Sequence, residues 1–141
     1  MQLQIKKLHP EAKLPSYAHA TDAGMDLFTV EDFTLEPGEF RQVHTGVAIV
    51  FPEGYAGLTW DKGGVSHKRH IKTMGGVFDA DYRGEYIIGL INLGQETQSF
   101  AKGDKIAQLL IQKVEHPEIV EVDELEETAR GEGRFGSTGV N

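Results

Sequence analysis

FRQVHTGVAIVF, residues 40–51, is the stretch from which the fold can be worked out. Val43, Val47, Ile49 and Val50 are β-branched; such side chains pack well on a pleated surface and lose rotamer freedom in a helix. The stretch reads as one long β run. It is opened by the turn Glu36-Pro37-Gly38 and closed by Pro52-Glu53-Gly54, where Pro presets φ and Gly takes a positive φ. Shorter runs of the same kind lie on either side. Gln2–Leu8 alternates apolar and polar, with Leu3 and Ile5 on one face, and Tyr55–Trp60 and Ile87–Leu93 are two more strands. Ile106–Val114 is mostly apolar and is expected to be buried on both faces. GVFDADYRGEY, residues 76–86, reads as a hairpin with its polar tip at Asp81. A single short helix is expected from about Gly64 through Lys68 or Arg69. Short strands at roughly 8–12-residue spacing predict an all-β sandwich, jelly roll or barrel.

The composition agrees with one globular domain. The chain has 141 residues, 39% hydrophobic and 26% charged, enough to bury a core. It has no cysteine, which excludes disulfides, thiolate metal sites and cysteine nucleophiles. The N-terminus MQLQIKKLHP lacks the apolar core of a signal peptide, so a cytoplasmic protein with no membrane partner is expected. A formal net charge of −8 speaks against nucleic acid, whose recognition needs many cationic phosphate contacts. Positive charge is instead local: Lys62, Lys68, Arg69 and Lys72, with His67 and His70, follow the lone acid Asp61. A small anionic ligand suits that pattern. His67 and His70 are spaced as a metal pair, but no third ligand supports them. Residues 1–120 are read as the β domain, and 121–141 as an acidic connector followed by a glycine-rich arm.

Three stretches could carry chemistry. DKGGVSHK (61–68) places two glycines at the start of the expected helix, beside Lys62, which outlines an anion site; a loop leading to a solvated basic face fits as well. In GGVFDADYRGE (75–85), Asp79 and Asp81 alternate along a strand and so do not form a carboxylate pair. Asp79 lies among Val77, Phe78 and Ala80, where partial burial is expected to raise its pKa toward that of a general base; an ordinary hairpin tip is the other reading. GEGRFGSTGVN (131–141) has unobstructed backbone N–H groups that can wrap a phosphate, and Phe135 can stack on a base. A disordered tail with an incidental Phe also satisfies that composition.

In order, AGMDL (23–27), DKGGVSHK (61–68), GGVFDADYRGE (75–85), GDKIAQLLIQ (103–112) and RGEGRFGSTG (130–139) resemble the five motifs of the trimeric dUTPase family. The resemblance implies a β jelly roll (a distorted barrel) with one short helix and a flexible C-terminal arm. It implies homotrimers with three interfacial active sites, over which the arm of a neighbouring subunit closes. The implied reaction is Mg²⁺-assisted attack of water on the α-phosphate of dUTP, giving dUMP and pyrophosphate and feeding dTTP synthesis. By the same resemblance, Asp79 orients and deprotonates the water, and Tyr82 underlies the deoxyribose and leaves no room for a 2′-hydroxyl. The segment with Gly76 and Val77 offers its backbone to the uracil edge. Lys62, Gly63, Gly64 and Gln108 contact the phosphates. Arg130, Gly136, Ser137 and Thr138 hold the γ-phosphate end, Phe135 stacks on uracil, and Asp26 acts through water near the Mg²⁺. The second motif departs from the family's Arg/Lys-Ser-Gly: Gly63 lacks the serine hydroxyl that reaches the bridging oxygen. Arg134 stands where a glycine is usual. The rival reading is therefore a dUTP-binding regulator of the same fold with weak or no turnover.

Overall fold

A computed structural model of the chain describes residues 1–129 and 131; Arg130 and residues 132–141 lie outside the described part. The calls on Arg130, Arg134, Phe135, Gly136, Ser137 and Thr138 therefore fall outside it too. Among the described residues, eleven strands and one helix follow one another: β1 (Gln4–Lys7), β2 (Met25–Phe28), β3 (Phe33–Leu35), β4 (Phe40–His44), β5 (Val47–Val50), β6 (Tyr55–Trp60), α1 (Gly63–Arg69), β7 (Ile71–Met74), β8 (Val77–Phe78), β9 (Ile87–Asn92), β10 (Gln98–Phe100) and β11 (Lys105–Lys113). The strands pair antiparallel in the orders β2-β11-β6-β8, β4-β9-β7, β1-β5 and β10-β3. This is an all-β jelly roll with one short helix, but among the described residues its sheets do not close into a barrel.

The run from Phe40 to Phe51 is not one strand. It breaks at Thr45-Gly46 into β4, which pairs with β9, and β5, which pairs with β1. Gly46 has φ 69°, a left-handed conformation that favours glycine, and a Cβ there would lie 2.9 Å from the Cβ of Ala12. The bend is held from outside. Thr45 Oγ1 donates to the Tyr86 carbonyl at 2.6 Å, and the Gly46 N–H donates to Glu85 Oε1 at 2.7 Å. By changing sheets at this bend, one segment feeds both layers and buries Val43, Val47 and Ile49 in a common core with Leu35, Leu90 and Leu109.

β11 behaves as its composition predicts, lying between β2 and β6 with Ile106, Ala107 and Leu109 buried. The helix covers almost the expected span. It is anchored by buried Val65, and Arg69 stacks 3.7 Å over the Phe100 ring while donating to Gln98 Oε1 at 2.9 Å. Beyond Val114, whose N–H reaches the Gly54 carbonyl at 2.9 Å, residues 115–129 are exposed and outside any strand or helix.

Candidate active site

One face of the four-stranded sheet gathers three of the expected site residues. Asp26 on β2 is opposite Gln108 on β11, and Gln108 is opposite Trp60 at the end of β6. Lys62 follows two residues later as the N-cap of α1, with φ −76° and ψ 120°. Its side chain does not cap the helix; Lys62 Nζ lies 2.5 Å from Asp26 Oδ1. Gln108 Nε2 donates to the Asp61 carbonyl at 2.9 Å. Gly24 of the AGMDL stretch makes room for that glutamine, since a Cβ there would stand 2.9 Å from Gln108 Oε1.

Lys105 also joins this cluster, with its Nζ 2.6 Å from Asp26 Oδ2, and the sequence reading missed it. In a regular strand, residues 105 and 108 point to opposite faces. A bulge between Lys105 and Ala107 shifts the register so that Lys105 faces Phe28, two residues from Asp26 and on the same side. No signal in the sequence marks this bulge. Asp26 is 2% exposed. Burial alone would push its pKa up, but the hydrogen bonds and charges of Lys105 and Lys62 outweigh it and hold the carboxyl below the usual range.

That arrangement bears on magnesium. Both Asp26 oxygens face ammonium groups, and the described residues contain no cluster of three or more His, Cys, Asp or Glu side chains that could cage an ion. The donor set does not suit a resident metal held by the protein.

The expected basic patch is partly neutralised. Lys72 pairs with Asp61 at 3.0 Å, and Arg69 is engaged with Phe100 and Gln98. Gly63 and Gly64 are exposed, with open space where a Cβ would stand.

Asp79 and Tyr82 lie elsewhere. Residues 76–86 do not form a hairpin: β8 ends at Phe78 and pairs only with β6, and a compact turn follows in which the Tyr82 N–H donates to the Asp79 carbonyl at 3.1 Å. The predicted alternation of Asp79 and Asp81 along a strand fails for the same reason. Gly76 is required where it stands, because a Cβ would come within 2.7 Å of Thr59 Oγ1. Val77 lies opposite Leu58 on the exposed edge. Phe78 stacks on buried Tyr86 at 3.9 Å. Tyr82 Oη donates to the Glu85 carbonyl at 3.0 Å, which fixes the ring's outer end. The partial burial expected for Asp79 is absent. It is exposed, its carboxylate accepts no hydrogen bond from the described residues, and it borders an open cleft of about 810 Å³ with Tyr55, Ala56 and Arg83.

The two groups sit at opposite ends of β6. Phe78 is opposite Gly57, so Asp79 falls level with Ala56, toward the Tyr55 end, whereas Lys62 continues past the Trp60 end. Along a strand rising ~3.3 Å per residue, that separation is on the order of 17–20 Å.

Comparison with known proteins shows the family. The dUTPase family model matches residues 10–139. The chain is 46% identical over 142 residues to the deoxyuridine 5′-triphosphate nucleotidohydrolase of Thermobifida fusca, covering 99% of this chain and 79% of that protein. It is 44% identical to the same-named protein of Alkaliphilus metalliredigens, covering 98% and 97% of the two chains. Among solved structures, a mutant dUTPase of Staphylococcus bacteriophage 80alpha with dUpNHpp superposes with a TM-score of 0.92 at 35% identity, over 99% of both chains. A mutant dUTPase of the S. aureus phage phi11, described as coordinating a structural Mg(II) ion, superposes at 0.84 with 33% identity, over 90% of this chain and 100% of that one. With a jelly roll of this topology and motifs matched along nearly the whole chain, this protein is an enzyme of the dUTPase family.

Proposed function

We propose that the protein hydrolyses dUTP to dUMP and pyrophosphate, with Asp79 as the base. The observation that carries this reading is the Asp79 carboxylate itself, exposed at a cleft and free of hydrogen bonds from the described residues. A water held by Asp79 gives up its proton to the carboxylate as its oxygen bonds to the α-phosphorus. The bond from that phosphorus to the α–β bridging oxygen breaks, and the electron pair leaves with pyrophosphate. Lys62 and Gln108 grip the phosphates, and Gly63 and Gly64 let the chain approach them closely. The backbone at Gly76 and Val77 takes the uracil edge, and Tyr82 excludes a 2′-hydroxyl. Magnesium, when bound with the triphosphate, offsets charge building on the leaving pyrophosphate. Arg130, Phe135, Gly136, Ser137 and Thr138 complete the enclosure.

The reading includes a homotrimer in the cytoplasm whose copies share each site. What supports the sharing of sites is the spacing along β6, which sets Asp79 of a chain toward one end of the strand and that chain's Lys62 past the other. The test is chromatography of dUTP, dCTP, dTTP and UTP after incubation with Mg²⁺. Cleavage of dUTP alone is expected. Asp79→Asn should lower kcat by roughly 10²–10⁴-fold while still binding a non-cleavable analogue. Tight dUTP binding by the wild-type protein without pyrophosphate release would favour the regulatory reading, with the absent hydroxyl at Gly63 as its cause.

A further inference from the structure

Asp61, between the end of β6 and the cap of α1, engages three neighbours. Its Oδ1 accepts from the Thr73 N–H at 2.8 Å and from Thr73 Oγ1 at 2.6 Å. Lys72 Nζ lies 3.0 Å from its Oδ2. Its backbone carbonyl accepts from Gln108 Nε2 at 2.9 Å. β6 and β7 belong to different sheets, so the side chain ties the two layers together where the chain leaves one of them. Burial would push the Asp61 pKa up, but the Thr73 hydroxyl and N–H and the Lys72 charge outweigh it and keep the group ionised.

A carboxylate is an unwelcome neighbour for a phosphate grip unless it does something there. Lys72 offsets its charge, which leaves the positioning of the loop as its contribution. Lys62 is held at its side chain by Asp26 and at its carbonyl by the Val65 and Ser66 N–H groups, at 2.9 and 2.8 Å, while the Gly63-Gly64 pair that opens α1 adds no side chain of its own to hold it. Asp61 supplies the anchor on the other side of Lys62, tying the end of β6 to Thr73 and to Gln108.

Building on the proposed dUTP hydrolysis, we propose that Asp61 is a positioning residue for the phosphate end of the site, holding Lys62 and Gln108 where they meet the β- and γ-phosphates. It touches no substrate atom. Its loss should therefore weaken the part of binding that belongs to the outer phosphates and spare the nucleoside and α-phosphate.

Calorimetric titration of the full-length protein with a non-cleavable dUTP analogue and with dUMP separates these parts. Asp61→Ala should raise the Kd of the analogue about tenfold, the scale of one charge-assisted hydrogen bond, and change that of dUMP by less than about twofold. Thr73→Val removes one of the donors and should shift the analogue in the same direction. Asp61→Asn retains an oxygen for Thr73 and should restore most of the affinity. If Asp61→Ala fails to fold, the Thr73→Val and Asp61→Asn pair decides the matter. Equal weakening of both ligands, or no change in the analogue for either Asp61→Ala or Thr73→Val, overturns the proposal. Wild-type protein that neither binds the analogue nor cleaves dUTP would overturn the proposed function instead.

Discussion

At the residue scale, Asp26 concentrates the electrostatics of the site. Its pKa in the folded chain lies below the ~3.9 of an unfolded aspartate. Its contribution to stability is therefore fully present above that unfolded value and is lost as pH falls through the lower folded one. Asp61 shifts in the same direction and adds to the same window. Urea melts across pH 2–5 should show stability falling below about pH 4, and Asp26→Asn should flatten that fall. The same substitution should lower stability at pH 7 by roughly 1–3 kcal/mol, because Lys62 and Lys105 lose their partner but remain partly hydrated. A second residue, Gly84, bears on the sugar contact proposed for Tyr82. A Cβ there overlaps the Tyr82 hydroxyl and ring, so Gly84→Ala must push that ring aside. Hydrolysis of UTP relative to dUTP should then rise severalfold, and competition assays with the two nucleotides would measure it.

Elements depend on single residues in a few places, and the break in residues 40–51 is the clearest. Gly46→Ala places an L-residue at φ 69° and drives a methyl into Ala12 and His9. A left-handed residue costs ~1–2 kcal/mol and overpacking ~1–3 more, so a loss of about 2–5 kcal/mol is expected from denaturant unfolding. Valine patterning made both halves legible as strand. It could not reveal the bend, because the groups that hold it, Glu85 and Tyr86, lie some forty residues away. β11 repeats the lesson: its apolar run was legible, but the bulge that turns Lys105 toward Asp26 was not. The expected hairpin failed for a related reason. Residues 79–86 bond their backbone through local turns and, at Tyr86, to Thr45 and Val47, which leaves β8 paired with β6 alone among the described residues.

At the scale of the whole molecule, the length of β6 sets the assembly question. Asp79 lies toward its Tyr55 end and Lys62 past its Trp60 end. If copies share sites, inactive Asp79→Asn and inactive Lys62→Met chains should rescue one another when unfolded together and refolded as a mixture. Random assembly makes about a quarter of the sites intact when each site draws these two residues from different chains. Activity near that fraction is the expected result, and none at all would mean that each chain builds its own site.

Read alone, the sequence determined the class of fold, the position of the helix and most strands, and the motifs that name the family. Those properties are local: β-branched patterning, turn residues and contiguous signatures are complete within a few positions. The tertiary structure alone decided that Lys105 joins Asp26, that residues 40–51 serve two sheets, that Asp79 is exposed, and that it lies a strand's length from Lys62. Each of these follows from register and from long-range hydrogen bonds, which couple residues far apart in the chain and leave no periodic trace in it.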